Sequence, residues 1–120
     1  MIARVALLLV AGLLLAGCGG GGSSSSSGAA NGPVVKFTGT AFEPSTLTIK
    51  AGDTVTFENK SGDDFWPASN VHPTHLLYPG FDAKKPILDG GTYSFTFTKK
   101  GSWGYHNHLT PDIQGTIVVQ

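Results

Sequence analysis

The four histidines of this 120-residue chain fall into two tight pairs. One pair lies in the segment HPTH at 72–75, and the other lies in HNH at 106–108. Positions i and i+2 of a β-strand point to one face, so His106 and His108 can present two imidazoles side by side. His72 and His75 can converge across a turn that Pro73 stiffens. The spacing predicts a metal site, and the alternative is that the imidazoles only form hydrogen bonds.

The identity of the metal follows from the ligand type. Imidazole suits copper, zinc, nickel and iron, and the stability order of the divalent ions favours Cu(II). We predict copper bound through His72, His75, His106 and His108, with tetrahedral zinc as the runner-up. One four-histidine site and two half-filled sites both stay open. Because a histidine must be neutral to bind a metal, affinity should fall below about pH 6.

The first 17 residues predict a secretory signal peptide, with one early positive charge, an apolar run and then small residues. The run is too short for a stable membrane span. Cys18, the only cysteine, ends a segment LAGC that resembles the lipobox of bacterial lipoproteins, in which the thiol is acylated. The alternative is an ordinary cleavage site beside a chance cysteine. We expect an extracytoplasmic protein, periplasmic or on the outer cell surface, with a lipid at Cys18 as its membrane contact.

The remaining organisation is simple. Residues 18–33 are rich in glycine and serine, which predicts a flexible tether between the lipid and a single domain at 34–120. The formal net charge is zero, and no basic patch suggests nucleic acid as a partner.

The elements that must position the histidines are β-strands. From Val35 to Val119, short runs rich in β-branched and aromatic residues alternate apolar and polar positions, with glycine-bearing turns between them. No stretch has a helical period. This pattern predicts an all-β fold, an antiparallel Greek-key β-sandwich of six or seven strands.

One region departs from this pattern, because residues 63–89 form a long, proline-bearing and aromatic segment. A loop of this length is usually functional or disordered, and its bulky apolar residues argue against disorder. We expect it to pack over one end of the sandwich. The aromatic residues expected to shield the site or fill the core are Trp66, Tyr78, Phe81 and Trp103.

Several polar residues near the histidines have two interpretations. Asp63, Asp64 and Asp82 can orient the imidazoles from behind, or can simply be solvated. Asn107, between two histidines, should face the opposite side of its strand and form a loop hydrogen bond.

Three segments together resemble the cupredoxin family, the plastocyanin- and azurin-like copper proteins. They are FEPSTLTIKAGDTVTFENKSGDD at 42–64, GGTYSFTFTKKGSWGYH at 90–106 and GYHNHLTPDIQGTIVV at 104–119. The resemblance implies a β-sandwich over nearly all of residues 34–120. The blue-copper ligands of that family do not carry over. Its loop reads Tyr-x-Cys-x-x-His-x-x-Met-x-Gly, and the three ligand positions are here occupied by Asn107, Thr110 and Ile113.

The family's other histidine lies soon after the position of Asn59, where this chain reads DDFW at 63–66. A blue site needs a thiolate, and residues 34–120 contain no cysteine. The segments WGYHNH at 103–108 and HPTH at 72–75 are also similar to phrases of multicopper oxidases, whose histidines bind type-2 and type-3 copper. That oxidase cluster needs eight histidines and a blue copper, so oxidase activity is not implied.

Three hypotheses of function follow. The favoured one is a binding module for copper capture, storage, delivery or electron transfer, with a redox or copper-delivery protein as partner. The second is a copper enzyme acting on a small oxidant such as superoxide or peroxide. It is disfavoured because no general acid and no second redox centre are recognisable. The third is a metal-free interaction domain of the cell envelope.

Overall fold

The computed structural model describes residues 32–120, and these fold into a β-sandwich. The strands are β1 (Val34–Phe37), β2 (Phe42–Glu43), β3 (Thr46–Ile49), β4 (Thr54–Asn59), β5 (Pro67–Ser69), β6 (Thr92–Thr96), β7 (Gly101–Asn107) and β8 (Thr110–Val119). The predicted all-β sandwich is therefore confirmed. The predicted signal peptide at 1–17, Cys18 and nearly all of the tether at 18–33 lie outside the described residues. Residues 32–120 contain no helix with the length and apolarity required to cross a bilayer.

The strands form two sheets, in the orders β2-β1-β4-β6 and β3-β8-β7-β5. Both sheets are mixed rather than purely antiparallel, because β1 runs parallel to β4 and β3 runs parallel to β8. The alternating pattern predicts strands but carries no information on their relative direction. Strands joined by a hairpin must be antiparallel, whereas strands brought together by a crossover are free to be parallel.

Residue alternation along β4 shows how the sequence pattern becomes two faces. Val55 and Phe57 are fully buried, while the hydroxyls of Thr54 and Thr96 meet on the outer face at 2.6 Å. Burying an apolar side chain of this size contributes about 1.5–3 kcal/mol, so the period of two fixes which face packs inward.

Tyr105 lies at the centre of the core and anchors β7 directly before His106. Its ring centroid lies 4.7 Å from that of Phe42 and 5.3 Å from that of Phe57. Gly115 on the neighbouring strand makes room for it, because a Cβ there would lie 2.6 Å from the Tyr105 ring. Burial raises the pKa of the Tyr105 hydroxyl well above its ordinary value, so the phenol stays neutral.

The long segment at 63–89 packs onto the sandwich and contributes one strand to it. That strand, β5, pairs antiparallel with β7, and single bridges join Phe65 to Ile87 and Ala68 to Asp82. Tyr78 and Phe81 are buried in the main core, as expected for core-filling aromatics. Trp103 packs against the core and meets Tyr78 edge-on. The segment is therefore fastened at several points, and it carries two histidines to the end of β7.

Candidate metal centre

All four histidines converge. One potential ligand nitrogen from each of His72, His75, His106 and His108 lies within 4.8 Å of the other three. Two contacts lie within hydrogen-bond distance, at 3.3 Å from His72 Nδ1 to His106 Nε2 and at 3.1 Å from His75 Nε2 to His108 Nδ1. Metal–nitrogen bonds of about 2.0–2.1 Å require neighbouring nitrogens roughly 3–3.5 Å apart. The two short contacts match this spacing, and the 4.8 Å limit brings all four nitrogens near a single point.

The two histidine segments interleave. The sequence suggests that His106 and His108 form one ligand pair facing His72 and His75, but each of the two short contacts joins one histidine from each segment. A register irregularity lies between His106 and Asn107, after which β7 ends and His108 leaves the strand. Each of the two short contacts therefore depends on both histidine segments.

Backbone hydrogen bonds hold the strand half of the site, which consists of His106 and His108. His106 lies between β5 and β8, opposite Ala68 and Gln114, and is 1% exposed. His108 donates its backbone N–H to the carbonyl of Trp66 at 2.7 Å, and the two rings lie 4.4 Å apart. Trp66 thus covers one side of the cluster, as expected for a shielding aromatic.

Asn107, between these two histidines, ties the same two regions together. Its Oδ1 accepts the backbone N–H of Trp66 at 2.8 Å and that of Leu109 at 3.3 Å, and the side chain is 2% exposed. This is the loop hydrogen bond predicted for Asn107. The residue that stands in the family's cysteine position is thus engaged by backbone groups.

Local hydrogen bonds shape the loop half of the site, which consists of His72 and His75. Tyr78 donates its backbone N–H to Ser69 Oγ at 2.7 Å, and Leu77 donates its N–H to the carbonyl of Asn70 at 2.6 Å. His75 donates its N–H to the carbonyl of Val71 at 2.7 Å and has a φ of 58°. The chain therefore turns back at His75, which brings this buried imidazole toward the end of β7.

Two polar side chains hold imidazoles from behind. Asp82 Oδ2 lies 2.9 Å from His75 Nδ1, and Asn70 Oδ1 lies 2.7 Å from His106 Nδ1. A carboxylate only accepts hydrogen bonds, so His75 Nδ1 carries the proton, and Asn70 Oδ1 accepts from His106 in the same way. The Nε2 atoms of His75 and His106 are then left free to face the cluster.

Of the three acidic residues considered from sequence, Asp82 is the one that reaches a histidine. Asp63 and Asp64 are exposed, as expected for solvated carboxylates. Sequence reasoning missed Asn70. Its position two residues before His72 was the one available signal, and the strand pairing that brings it to His106 is visible only in the structure.

The electrostatics suit a cation. Burial, followed by the nearby imidazoles of His75, His72 and His108, lowers the pKa of His106 to about 4. Burial and the imidazoles of His75 and His72 also lower the pKa of His108.

Burial alone would raise the pKa of Asp82, but hydrogen bonds from Trp66 and His75 outweigh it and hold this pKa below its ordinary value. At neutral pH the cluster thus offers uncharged nitrogen donors at His106 and His108, with an ionised carboxylate behind His75. This donor set fits a divalent metal ion.

Solvent reaches the cluster from one side. His72 is exposed, and a cavity of about 300 Å³ opens beside His72 and His106. The other residues that line it are Asn70, Val71, Pro111, Asp112 and Gln114. The apolar side chains of Val71, Leu76, Leu77 and Leu109, next to the histidines in sequence, are exposed as well. The cluster is therefore open to solvent at His72, and exposed apolar residues neighbour its histidines in sequence.

Comparison with known proteins agrees with this fold. The family model described as "Cupredoxin-like domain" matches residues 6–119. The plastocyanin of Scenedesmus fuscus is 36% identical over 101 residues, which cover 78% of this chain and 94% of that protein. The chloroplastic plastocyanin of Hordeum vulgare is 30% identical over 125 residues, covering 98% and 75%.

Among solved structures, a Cu(I) form of an amicyanin mutant superposes with a TM-score of 0.65 at 28% identity, covering 77% of this chain and 86% of amicyanin. A reduced amicyanin mutant gives 0.64 at 27% identity, covering 74% and 82%. The chain belongs to the cupredoxin-like family.

Proposed function

We propose that this protein is an extracytoplasmic, lipid-anchored copper protein that holds one copper ion in a non-blue site and serves copper handling. The ligands are His72, His75, His106 and His108. The observation that carries the proposal is the convergence of four imidazole nitrogens within 4.8 Å. The copper in the similar amicyanin structure supports copper as the metal.

The non-blue character rests on the ligand set. Blue sites require a cysteine thiolate, and the only cysteine of this chain is Cys18, which precedes the predicted domain at 34–120. Asn107 stands at the family's cysteine position, and its Oδ1 accepts two backbone N–H groups. An all-imidazole site follows, with redox chemistry supplied by the copper when it is bound.

The site is also organised before a metal arrives. Asn70 fixes the ring orientation of His106, and Asp82 fixes that of His75. Outer partners of this kind orient ligands and contribute about 10–100-fold to metal affinity. The entropy cost of ordering the two buried imidazoles is thus met during folding rather than during metal binding.

A metal titration tests the proposal. Residues 32–120 contain both sheets and the core, so the chain from residue 19 onward is suitable, and it lacks Cys18. Cu(II) and Zn(II) are titrated separately and in competition, and bound metal is counted by elemental analysis. We expect one copper per chain, nitrogen hyperfine structure in the paramagnetic resonance spectrum, and no intense visible thiolate band. Preferential binding of zinc would contradict copper as the metal.

The matched variants are His106→Ala/His108→Ala and Asp64→Asn. The first removes two ligands, and the second changes an exposed acid two residues before Trp66. Stoichiometric copper should be lost in the first and kept in the second. Equal copper binding by both variants would contradict the proposal that these histidines are the copper ligands.

Electron transfer is the second candidate task, and it is favoured by exposed apolar side chains next to the histidines in sequence, those of Val71, Leu76, Leu77 and Leu109. Such a surface can dock a redox partner close to the metal. Cyclic voltammetry of the copper-loaded protein discriminates the two tasks. A reversible couple with copper retained in both oxidation states indicates electron transfer, whereas release of copper on reduction indicates copper handling.

The lipid anchor needs its own experiment. The full chain is expressed in a bacterium with a labelled fatty acid, beside a Cys18→Ser variant. We expect label and membrane association in the parent chain and neither in the variant. Membrane association that persists without Cys18 would overturn lipidation at this residue.

A further inference from the structure

A chain of three side chains runs from the protein surface to one candidate ligand. Trp66 donates its Nε1–H to Asp82 Oδ1 at 2.7 Å, and His75 donates its Nδ1–H to Asp82 Oδ2 at 2.9 Å. The backbone N–H of Lys84 also donates to Asp82 Oδ1, at 2.8 Å. Both carboxylate oxygens are therefore occupied, and the orientation of Asp82 is fixed from two directions.

The other buried imidazole, that of His106, is held by a different kind of group. His106 donates to the neutral amide of Asn70, whereas His75 donates to a charged carboxylate. Across residues 32–120, the His75–Asp82 contact is the one ion-pair geometry that involves a histidine. The site thus has one charged and one neutral support for otherwise similar buried ligands.

We propose that Asp82 is a positioning residue of the metal site. It holds His75 as the Nδ1–H tautomer, which turns Nε2 toward the other imidazoles, and it places a fixed negative charge one imidazole away from the ion. The effect of the charge on the ion rests on the proposed copper site. The tautomer of His75 does not, since it exists without metal.

The charge has a defined consequence for copper. A carboxylate that accepts from the far nitrogen of a ligand imidazole raises the basicity of that ligand. A nearby negative charge also stabilises a dication more than a monocation, because Coulomb energy is proportional to charge. Blue sites obtain negative charge from a thiolate, which residues 32–120 do not contain. Asp82 supplies it from outside the ligand shell and favours Cu(II) over Cu(I).

Three variants separate positioning from general charge effects. Asp82→Asn keeps the shape but offers one acceptor oxygen and one NH₂ group. Two donors, Trp66 and Lys84, hold that oxygen, so the NH₂ group should face His75 Nδ1. Trp66→Phe keeps a ring beside His108, removes one hydrogen bond from Asp82 and leaves its charge more available to His75. Asp64→Asn removes the same charge from an exposed position and serves as the control.

The first measurement uses metal-free protein, from residue 19 onward. The nitrogen-15 shifts of His75 report which ring nitrogen carries the proton. We expect the Nδ1–H tautomer in the parent, in Trp66→Phe and in Asp64→Asn, and its loss as the dominant form in Asp82→Asn. A His75 that is Nε2–H in the parent, or that stays Nδ1–H in Asp82→Asn, overturns the positioning role.

The second measurement compares Cu(II) and Cu(I) affinities. Asp82→Asn should weaken Cu(II) binding about 10–100-fold and Cu(I) binding less, and each tenfold difference raises the reduction potential by about 59 mV. Trp66→Phe should shift the potential in the opposite direction, and Asp64→Asn should leave it nearly unchanged. Equal shifts in Asp82→Asn and Asp64→Asn would show a distant charge effect and overturn the through-imidazole role.

Two outcomes keep the tests separate. If the parent binds no copper, the proposed function fails, while the tautomer of His75 still decides the positioning role. If Asp82→Asn does not fold, the parent tautomer and the sign of the Trp66→Phe shift decide it. A shift of the potential in the direction expected for Asp82→Asn would then contradict the proposal.

Discussion

The two halves of the histidine cluster are built in different ways. His106 stands at the end of β7, where ladder bonds to β5 and β8 and the buried Tyr105 fix the backbone, and His108 follows directly with its N–H bonded to the carbonyl of Trp66. His72 and His75 stand in a segment whose shape depends on individual hydrogen bonds, such as that from the Tyr78 N–H to Ser69. Loss of one side-chain hydrogen bond leaves a ladder intact but can release a loop. The loop half should therefore be the part of the site that is easier to change.

Ligand removal should give the largest effect and tests the contrast directly. His106→Ala removes a buried, pre-oriented ligand and should lower Cu(II) affinity by more than about 100-fold, beyond the range of an outer partner. His72→Ala removes an exposed ligand and should cost less. Competition against a chelator of known affinity measures both variants. Equal losses of Cu(II) affinity in the two variants would contradict a difference between the two halves of the site.

The next prediction concerns the hydrogen bonds of the loop half. Ser69→Ala removes the acceptor of the Tyr78 N–H and the donor to the Asn70 carbonyl. A buried N–H left unpaired should lower the free energy of unfolding by about 1–3 kcal/mol. Urea unfolding of the metal-free protein measures it, with Ser94→Ala on the exposed face as the control. Copper affinity should fall in Ser69→Ala and stay unchanged in Ser94→Ala, because Ser69 shapes the segment that carries His72 and His75.

The sequence predicted much of this architecture because its evidence is local. Alternation along strands such as β4 marks a buried face, and the paired histidines mark a cluster, so both could be inferred from neighbouring positions. The parallel pairing of β1 with β4 could not, since direction is decided by crossovers. Asn70 was missed for a related reason. It meets His106 across 36 positions of sequence, and only the pairing of β5 with β7 brings the two together.

A further effect is expected from pH on the metal-free protein. The pKa of His106 falls from 6.5 to about 4 on folding, mainly through burial. Between these values the unfolded chain binds a proton that the folded chain does not, so the free energy of unfolding should decrease as pH falls from 6.5 to 4. The lowered pKa of His108 acts in the same direction.

Urea unfolding at pH 7 and pH 4.5 measures this dependence for the parent and for His106→Gln. The variant should lose much of the decrease, because its amide does not titrate. An identical pH dependence in both proteins would assign the effect to other groups.

The smallest predicted effect lies where the two halves touch. Gly104 on β7 accepts the backbone N–H of Asn70, and a Cβ at Gly104 would lie 2.8 Å from Asn70 Nδ2. Gly104→Ala should displace the Asn70 amide by a few tenths of an ångström and weaken its hold on His106 Nδ1. We expect a loss of copper affinity of less than about tenfold, below that for removal of an outer partner. Ser102→Ala, exposed on the same strand, is the control. Unchanged affinity in Gly104→Ala would mean that backbone pairing alone holds His106, which would make the strand half fully independent of the loop half.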